Sequence, residues 1–216
     1  MSNIWISTKA KLRAWEPRDW EAQLSWRDDT SGERADSHVP FPVSVPATKA
    51  DVEAMALRKP DGDNFEWIIS DLDGNAVGCI GSHNCQRTNG TFEMGFFVSP
   101  EHRRKGYARE AILLLVRFMF NERRYQKANA DAYSYNEASL KLLESLGLQI
   151  EGRSRRMQFS NGAHHDLVRF GITIEEFRIA HADWLKANAS PLYPWSALLL
   201  ATYYPAYDQP RIRFVS

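Results

Sequence analysis

Cysteine is nearly missing from this 216-residue chain, which holds only Cys79 and Cys85. Six residues apart on one predicted strand, they lie roughly 20 Å from each other. That is too far for a mutual disulfide, and two thiols do not make a zinc site. The reading is reduced thiols in a cytoplasmic protein. An excess of one charge is missing too: Lys+Arg and Asp+Glu both number 27, so the net charge is zero. This argues against a general binder of nucleic acid or of anionic membranes and leaves room for a local basic pocket. Long apolar runs are absent. The longest candidates, Ala111–Val116 and Ala197–Ala201, fall far short of the roughly 18 residues of a membrane span. The opening Met1-Ser2-Asn3-Ile4-Trp5 has neither the basic nor the apolar region of a signal peptide, so secretion is not expected. What is there is ordinary globular composition, 44% hydrophobic and 25% charged, in a length that suits one domain of about 100–200 residues plus an appendage.

The patterning predicts alternating elements. Trp5–Trp15 reads as a strand, and Glu16-Pro17-Arg18-Asp19 opens a helix running to about Trp26, with Pro at home in its first turn. Asp28–Pro46, with three prolines and many polar residues, reads as an irregular loop. Thr48-Lys49-Ala50-Asp51 has the spacing of a cap for a second helix ending near Leu57. Phe65–Ser70, Ala76–Cys85 and Thr91–Val98, separated by glycine-containing turns, indicate an antiparallel meander. A helix with a periodic apolar face follows from about Arg103 to Asn121, then a strand at Lys127–Tyr133 and a helix from Asn136 to Leu146 stopped by Gly147. Strands Leu148–Phe159 and His164–Ile172 flank the hairpin signal Asn161-Gly162, and Thr173–Ala187 reads as a helix. These elements make an α/β fold. Residues 179–216 form a proline- and aromatic-rich extension to a domain spanning 1–178. An exposed aromatic tail is an apolar patch that usually marks a covered interface. Its own domain, the substrate cleft and a second subunit in a homodimer are the three places open to it.

The informative segment runs from Val98 through Ser99-Pro100-Glu101-His102 to Arg103-Arg104-Lys105-Gly106-Tyr107-Ala108. A strand ends, a short basic loop with one glycine follows, and a long helix opens. Free N–H groups at a helix N-terminus and the helix dipole favour an anion. Arg103, Arg104 and Lys105 add positive charge, and Gly106 admits close backbone approach. Each charge-assisted hydrogen bond to phosphate is worth roughly 1.5–3 kcal/mol. The physics suggests a pyrophosphate ligand, and a solvated basic helix start accounts for the same residues.

With its context, Arg103–Ala108 resembles the Gln/Arg-x-x-Gly-x-Gly/Ala pyrophosphate loop of the GNAT superfamily of acetyl-CoA-dependent N-acetyltransferases. Asn136-Glu137-Ala138-Ser139, opening the next helix, and the hairpin through Asp166 look most like the RimJ/RimL-type branch. The resemblance spans about Trp5–Ile174. It implies a mixed, mostly antiparallel seven-stranded sheet flanked by helices. It further implies that Arg103, Arg104, Lys105, Gly106, Tyr107 and Ala108 wrap the CoA pyrophosphate, that Phe97 and Val98 pair with the pantetheine arm, and that Asn136 hydrogen-bonds that arm. In the absence of ligand, Asn136 is also a good helix cap.

The implied chemistry is direct attack of a primary amine on the thioester of acetyl-CoA. A backbone N–H at Val98 is the candidate oxyanion donor. Ser139 stands where this branch resembles using a serine as acid toward the CoA sulfur, and Leu143 replaces the tyrosine of many other members. Glu93 resembles the acidic residue many members place near the amine. Gln158 stands where RimL-like enzymes carry a glutamate, and it cannot accept a proton. An α-amine near pKa 7.7–8.0 is roughly one-seventh neutral at pH 7, against about one in 2,500 for a lysine amine, so a weak base suffices for the former. Trp26, Arg27 and His38 sit in or beside the segment where this fold places its substrate-facing loop. His164-His165-Asp166 does not read as a metal site, because neighbours on a strand face opposite sides. No metal, nucleic acid or membrane is expected. The alternative to the enzyme is a CoA-binding sensor or interaction module that has lost turnover.

Overall fold

The computed structural model describes residues 3–36, 39–60 and 62–188. Seven strands form one sheet in the order β1-β2-β3-β4-β5-β7-β6. They are β1 (Lys11–Arg13), β2 (Phe65–Ser70), β3 (Ala76–Gln86), β4 (Thr91–Val98), β5 (Lys127–Tyr133), β6 (Gln149–Ser160) and β7 (Ala163–Thr173). Only β4 and β5 are parallel; the other neighbours are antiparallel. The helices are α1 (Trp20–Asp28), α2 (Thr30–Asp36), α3 (Val45–Leu57), α4 (Tyr107–Asn121), α5 (Glu137–Ser145), α6 (Ile174–Ala180) and α7 (Ala182–Ala187). The expected mixed seven-stranded sheet with flanking helices is the fold observed.

Alternation along the strands sends Leu12, Ile69, Val77, Phe92, Met94 and Val98 to one face, where they pack with α4. Residues 111–116 of that helix are buried throughout, each large side chain contributing about 1.5–3 kcal/mol. On the other face α1 and α3 cover only part of the sheet, through Trp15, Trp26, Val52 and Ile68 with Phe97 packed against them.

Several expectations change. The first strand is short because Ser7 turns the chain: its N–H donates to the Ala10 carbonyl at 2.9 Å and its Oγ accepts from the Ala10 N–H at 3.2 Å. The region expected to be an irregular loop contains α2, started by Asp29, whose carboxylate accepts from the N–H groups of Ser31 (3.1 Å) and Gly32 (3.1 Å). The cap of α3 is Ser44, not Thr48, which is buried inside that helix. The long helix begins at Tyr107, not Arg103, because Arg103 is extended and Arg104 and Gly106 take φ of 61° and 92°. The final helix breaks at His181 into α6 and α7; that buried imidazole meets the Leu146 carbonyl at 2.9 Å. Trp184 of α7 donates to Glu110 at 2.9 Å, so packing on the domain continues past the expected boundary at 178. The aromatic tail from 189 onward and His38 lie outside the described residues.

A buried carboxylate with arginine partners reaching in from the surface ties the loop before β2 to the sheet. The Asp63 carboxylate receives Arg87 Nε at 2.6 Å, Arg123 Nε at 2.7 Å and the Tyr125 hydroxyl at 3.0 Å. The Arg87 hydrogen bond, followed by those from Arg123 and Tyr125, outweighs burial and brings its pKa down to about 2.

Candidate active site

The site exists because β4 and β5 stop pairing. Their parallel ladder covers only Thr91–Glu93 against Lys127–Asn129. Beyond Glu93 the strands part, and a cleft of about 710 Å³ opens between Met94–Val98 on one side and Asp131–Tyr133 on the other. The Ser99 N–H bonds the Val77 carbonyl at 3.0 Å. By strand alternation the N–H and C=O of Val98 therefore turn away from β3, toward the cleft. Gly78 makes close β3–β4 approach possible: the Phe97 carbonyl oxygen stands where a Cβ on Gly78 would be.

One end of the cleft is cationic. The N-cap of α4 is the left-handed Gly106, with no side-chain cap, and the first helical bond runs from Glu110 N–H to Gly106 C=O. The N–H groups before Glu110 are thus open to an anion. Arg103, Arg104, Gly106, Tyr107 and Ala108 all line this end, whereas Lys105 is exposed and does not. The ammonium of Lys9 lies 3.5 Å from where a Gly106 Cβ would sit, a positive charge that no local motif signalled. Arg103 donates from Nε to the Val98 carbonyl at 3.0 Å and lies 3.7 Å from Asp29. This set of helix N–H groups and cations fits a pyrophosphate.

The middle is built by α5 and α2. Asn136 caps α5 by accepting from the Ser139 N–H at 3.2 Å, and its Nδ2 donates to the Ala35 carbonyl at 3.0 Å. The Tyr135 hydroxyl donates to the Arg34 carbonyl at 2.6 Å. Both Asn136 and Ser139 line the cleft, as do Gly32 and Ala35 of α2.

The other end is acidic. Asp131 lines the cleft from β5. Burial raises its pKa, with the Glu93 charge adding to that and Arg169 opposing it. Glu93 does not line the main cleft. It borders an adjoining polar depression with Asn64, His83 and Asn84, and Asn84 Nδ2 donates to it at 2.7 Å. Asp131 was missed in the sequence because an acidic residue on an alternating strand looks like any solvated position.

Two of the three candidate substrate residues, Trp26 and Arg27, do not line the cleft. Trp26 is 4% exposed, its ring 5.5 Å from that of Phe97, and forms the wall behind that residue. Arg27 bonds Thr48 (3.3 Å) and Asp51 (3.4 Å), joining α1 to α3. His38 lies outside the described residues.

Known proteins resemble this chain in sequence and in fold. The chain is 38% identical over 177 residues to the SPbeta prophage-derived uncharacterized N-acetyltransferase YokL of Bacillus subtilis, covering 82% of this chain and 97% of that protein. It is 30% identical over 181 residues to the uncharacterized N-acetyltransferase YnaD of the same organism, covering 80% and 98%. Among solved structures, spermidine N-acetyltransferase from Vibrio cholerae in complex with CoA and spermine superposes with a TM-score of 0.68 at 19% identity, over 79% of this chain and 99% of that one. The acetyltransferase (GNAT) domain family matches residues 9–149. With its parted β4 and β5 and the cationic start of α4, this chain belongs to the GNAT family and is an N-acetyltransferase.

Proposed function

We propose that the protein transfers the acetyl group of acetyl-CoA to a primary amine by direct attack, with no covalent enzyme intermediate. The acceptor is a small-molecule amine or a protein N-terminus. The observation that carries this reading is the polarity of the cleft, cationic at the start of α4 and acidic at Asp131, with Glu93 in the depression beside it. A doubly charged phosphate ester suits the first end and an ammonium group the second.

Acetyl-CoA supplies an activated acyl group on a thiol leaving group. Arg103, Arg104, Gly106, Tyr107 and Ala108 hold the pyrophosphate, with Lys9 and the exposed Lys105 adding charge beside it. The backbone of Phe97 and Val98 lies along the pantetheine arm, and Asn136 bonds it in place of the Ala35 carbonyl. The Val98 N–H donates to the oxygen on which charge develops, and Ser139 donates a proton to the departing sulfur. Asp131 and Glu93 draw the acceptor ammonium to the carbonyl. Asn136 and Ser139 at the start of α5 support a RimJ/RimL-type relationship within the family, and Gln158 sets this chain apart from members with a glutamate there. The catalytic domain is residues 1–178, and the extension that follows includes α7, which packs back on the domain through Trp184.

The test is thiol release from acetyl-CoA by the purified protein across polyamines, amino acids, amine antibiotics and short peptides, with product masses checked. One amine class should release thiol and gain 42 mass units, the difference between an acetyl group and the hydrogen it replaces. Binding of acetyl-CoA without release to any class would overturn the transfer, and no binding would overturn the pyrophosphate assignment.

A further inference from the structure

The acceptor end has no assigned group to take up the proton that the ammonium must lose. Asp131 and Glu93 attract a cation, but a carboxylate that pairs well with an ammonium is a weak base toward it. The structure offers a better-matched group on β3.

Gly81 and Gly95 face each other across β3 and β4, and two residues along the ladder, on the same face, His83 faces Glu93. Two glycines directly opposite leave a bare spot on the sheet. The His83 ring lies over it: Nε2 is 2.9 Å from where a Gly95 Cβ would be, and Cε1 is 3.0 Å from where a Gly81 Cβ would be. Any side chain at Gly95 would displace the ring. Gly95 itself lines the cleft, between Glu93 and the Phe97–Val98 segment. His83 is exposed and, among the described residues, makes no hydrogen bond or ion pair. A free imidazole is therefore laid along β4, pointing from the acidic depression toward the reacting end of the cleft.

We infer that His83 is a catalytic residue of the acetyl transfer, its imidazole taking the proton that the acceptor ammonium loses. This rests on the acetyltransfer reading and deepens it. The ammonium, drawn in by Asp131 and Glu93, gives one proton to His83 and becomes a neutral amine. Its lone pair forms the N–C bond to the acetyl carbon. The C–S bond breaks with its electron pair going to sulfur. As the amide forms, the second nitrogen proton passes to the Ser139 hydroxyl oxygen while that hydroxyl gives its own proton to the departing sulfur, so that amide and free CoA thiol are released with Ser139 unchanged. The imidazolium then returns its proton to solvent. Imidazole is the side chain that most often serves as a general base in such proton transfers. The titratable groups around it are Glu66 from β2, Glu93 from β4, Cys85 on its own strand and, beyond Glu93, Asp131 from β5.

Two measurements test the inference. In the first, CoA alone is added while the His83 ring is followed by NMR in the full-length protein. The ring resonances should shift as the thiol end reaches Gly95; unmoved resonances overturn the inference whether or not any amine is turned over. In the second, His83→Gln and Gly95→Ala are compared with wild type using spermidine and a glycyl peptide amide as probe amines. Both variants should lose about 10²-fold in kcat while keeping acetyl-CoA affinity, and His83→Gln should flatten the acid limb of the kcat/KM profile. Retention of rate and acid limb in His83→Gln overturns the role of His83. Absence of wild-type turnover with both probes, despite the NMR shift, counts instead against the acetyltransfer reading for those amines.

Discussion

Two aspartates of one sheet, Asp63 before β2 and Asp131 on β5, have opposite surroundings. Asp63 is matched by Arg87, Arg123 and the Tyr125 hydroxyl, and its pKa falls to about 2. Asp131 is partly desolvated, which raises its pKa; among the described residues Arg169 opposes that rise and Glu93 adds to it. The first carboxylate is satisfied by the protein itself. The second keeps negative potential at the cleft, which an ammonium entering there would neutralise. The lesson is that a charge fully answered within the fold serves the fold, and an unanswered one marks where a ligand goes.

The largest effect should come from removing the matched charge. Asp63→Asn leaves the exposed Arg87 and the half-exposed Arg123 without the carboxylate they donate to, and losing such charge-assisted hydrogen bonds costs about 1.5–3 kcal/mol. Urea unfolding should register that loss, and the folded fraction should bind acetyl-CoA as before. Asp131→Asn removes an unmatched charge and should leave stability unchanged or slightly raised. Equal destabilisation by both would erase the contrast.

Acid sharpens it. The lowered pKa of Asp63 stabilises the fold above its unfolded value of about 3.9, and that contribution disappears as pH falls from about 4 to about 2. Two pKa units correspond to roughly 2.5 kcal/mol. Asp131 acts with the opposite sign: its raised pKa lowers stability as pH rises through the window above about 3.9, and the penalty persists at neutrality. Stability measured from pH 2 to 5 should therefore rise steeply in wild type and much less in Asp63→Asn.

The contrast also explains what could be read in the sequence. The cofactor end was legible because its parts are contiguous: strand end, basic loop, left-handed Gly106 and helix start lie within Val98–Ala108. Asn136 and Ser139 were legible for the same reason, three residues apart on one helix start. Of the proposed acceptor end only Glu93 was named, through the resemblance; His83, Asp131 and Arg169 come from three other strands and meet it only through pairing register. Lys9 reaches Gly106 from the chain's start. The fold was legible where periodicity or glycine turns spoke, and obscure where a single polar side chain bent the backbone, as Ser7 and Asp29 do.

At the site itself, Asp131→Asn should raise KM for the acceptor about 10–100-fold, the equivalent of one charge-assisted contact of roughly 1.5–3 kcal/mol, with acetyl-CoA affinity unchanged. An equal loss of acetyl-CoA binding would mean that Asp131 supports the cleft and does not hold the amine.

The smallest effect tests whether the acidic end is one unit. Glu93 is exposed and held by Asn84, so its field at Asp131 is screened by water and worth under about 1 kcal/mol. That field still has a direction: it raises the Asp131 pKa, whereas Arg169 lowers it. Glu93→Gln should therefore lower the Asp131 pKa, read by NMR titration of its carboxyl carbon, and raise the acceptor KM only a few-fold. Arg169→Gln should move the same resonance the other way. A pKa at Asp131 that ignores Glu93 would mean that burial alone sets it, and the two carboxylates would then act on an amine separately, one at the cleft wall and one in the depression beside it.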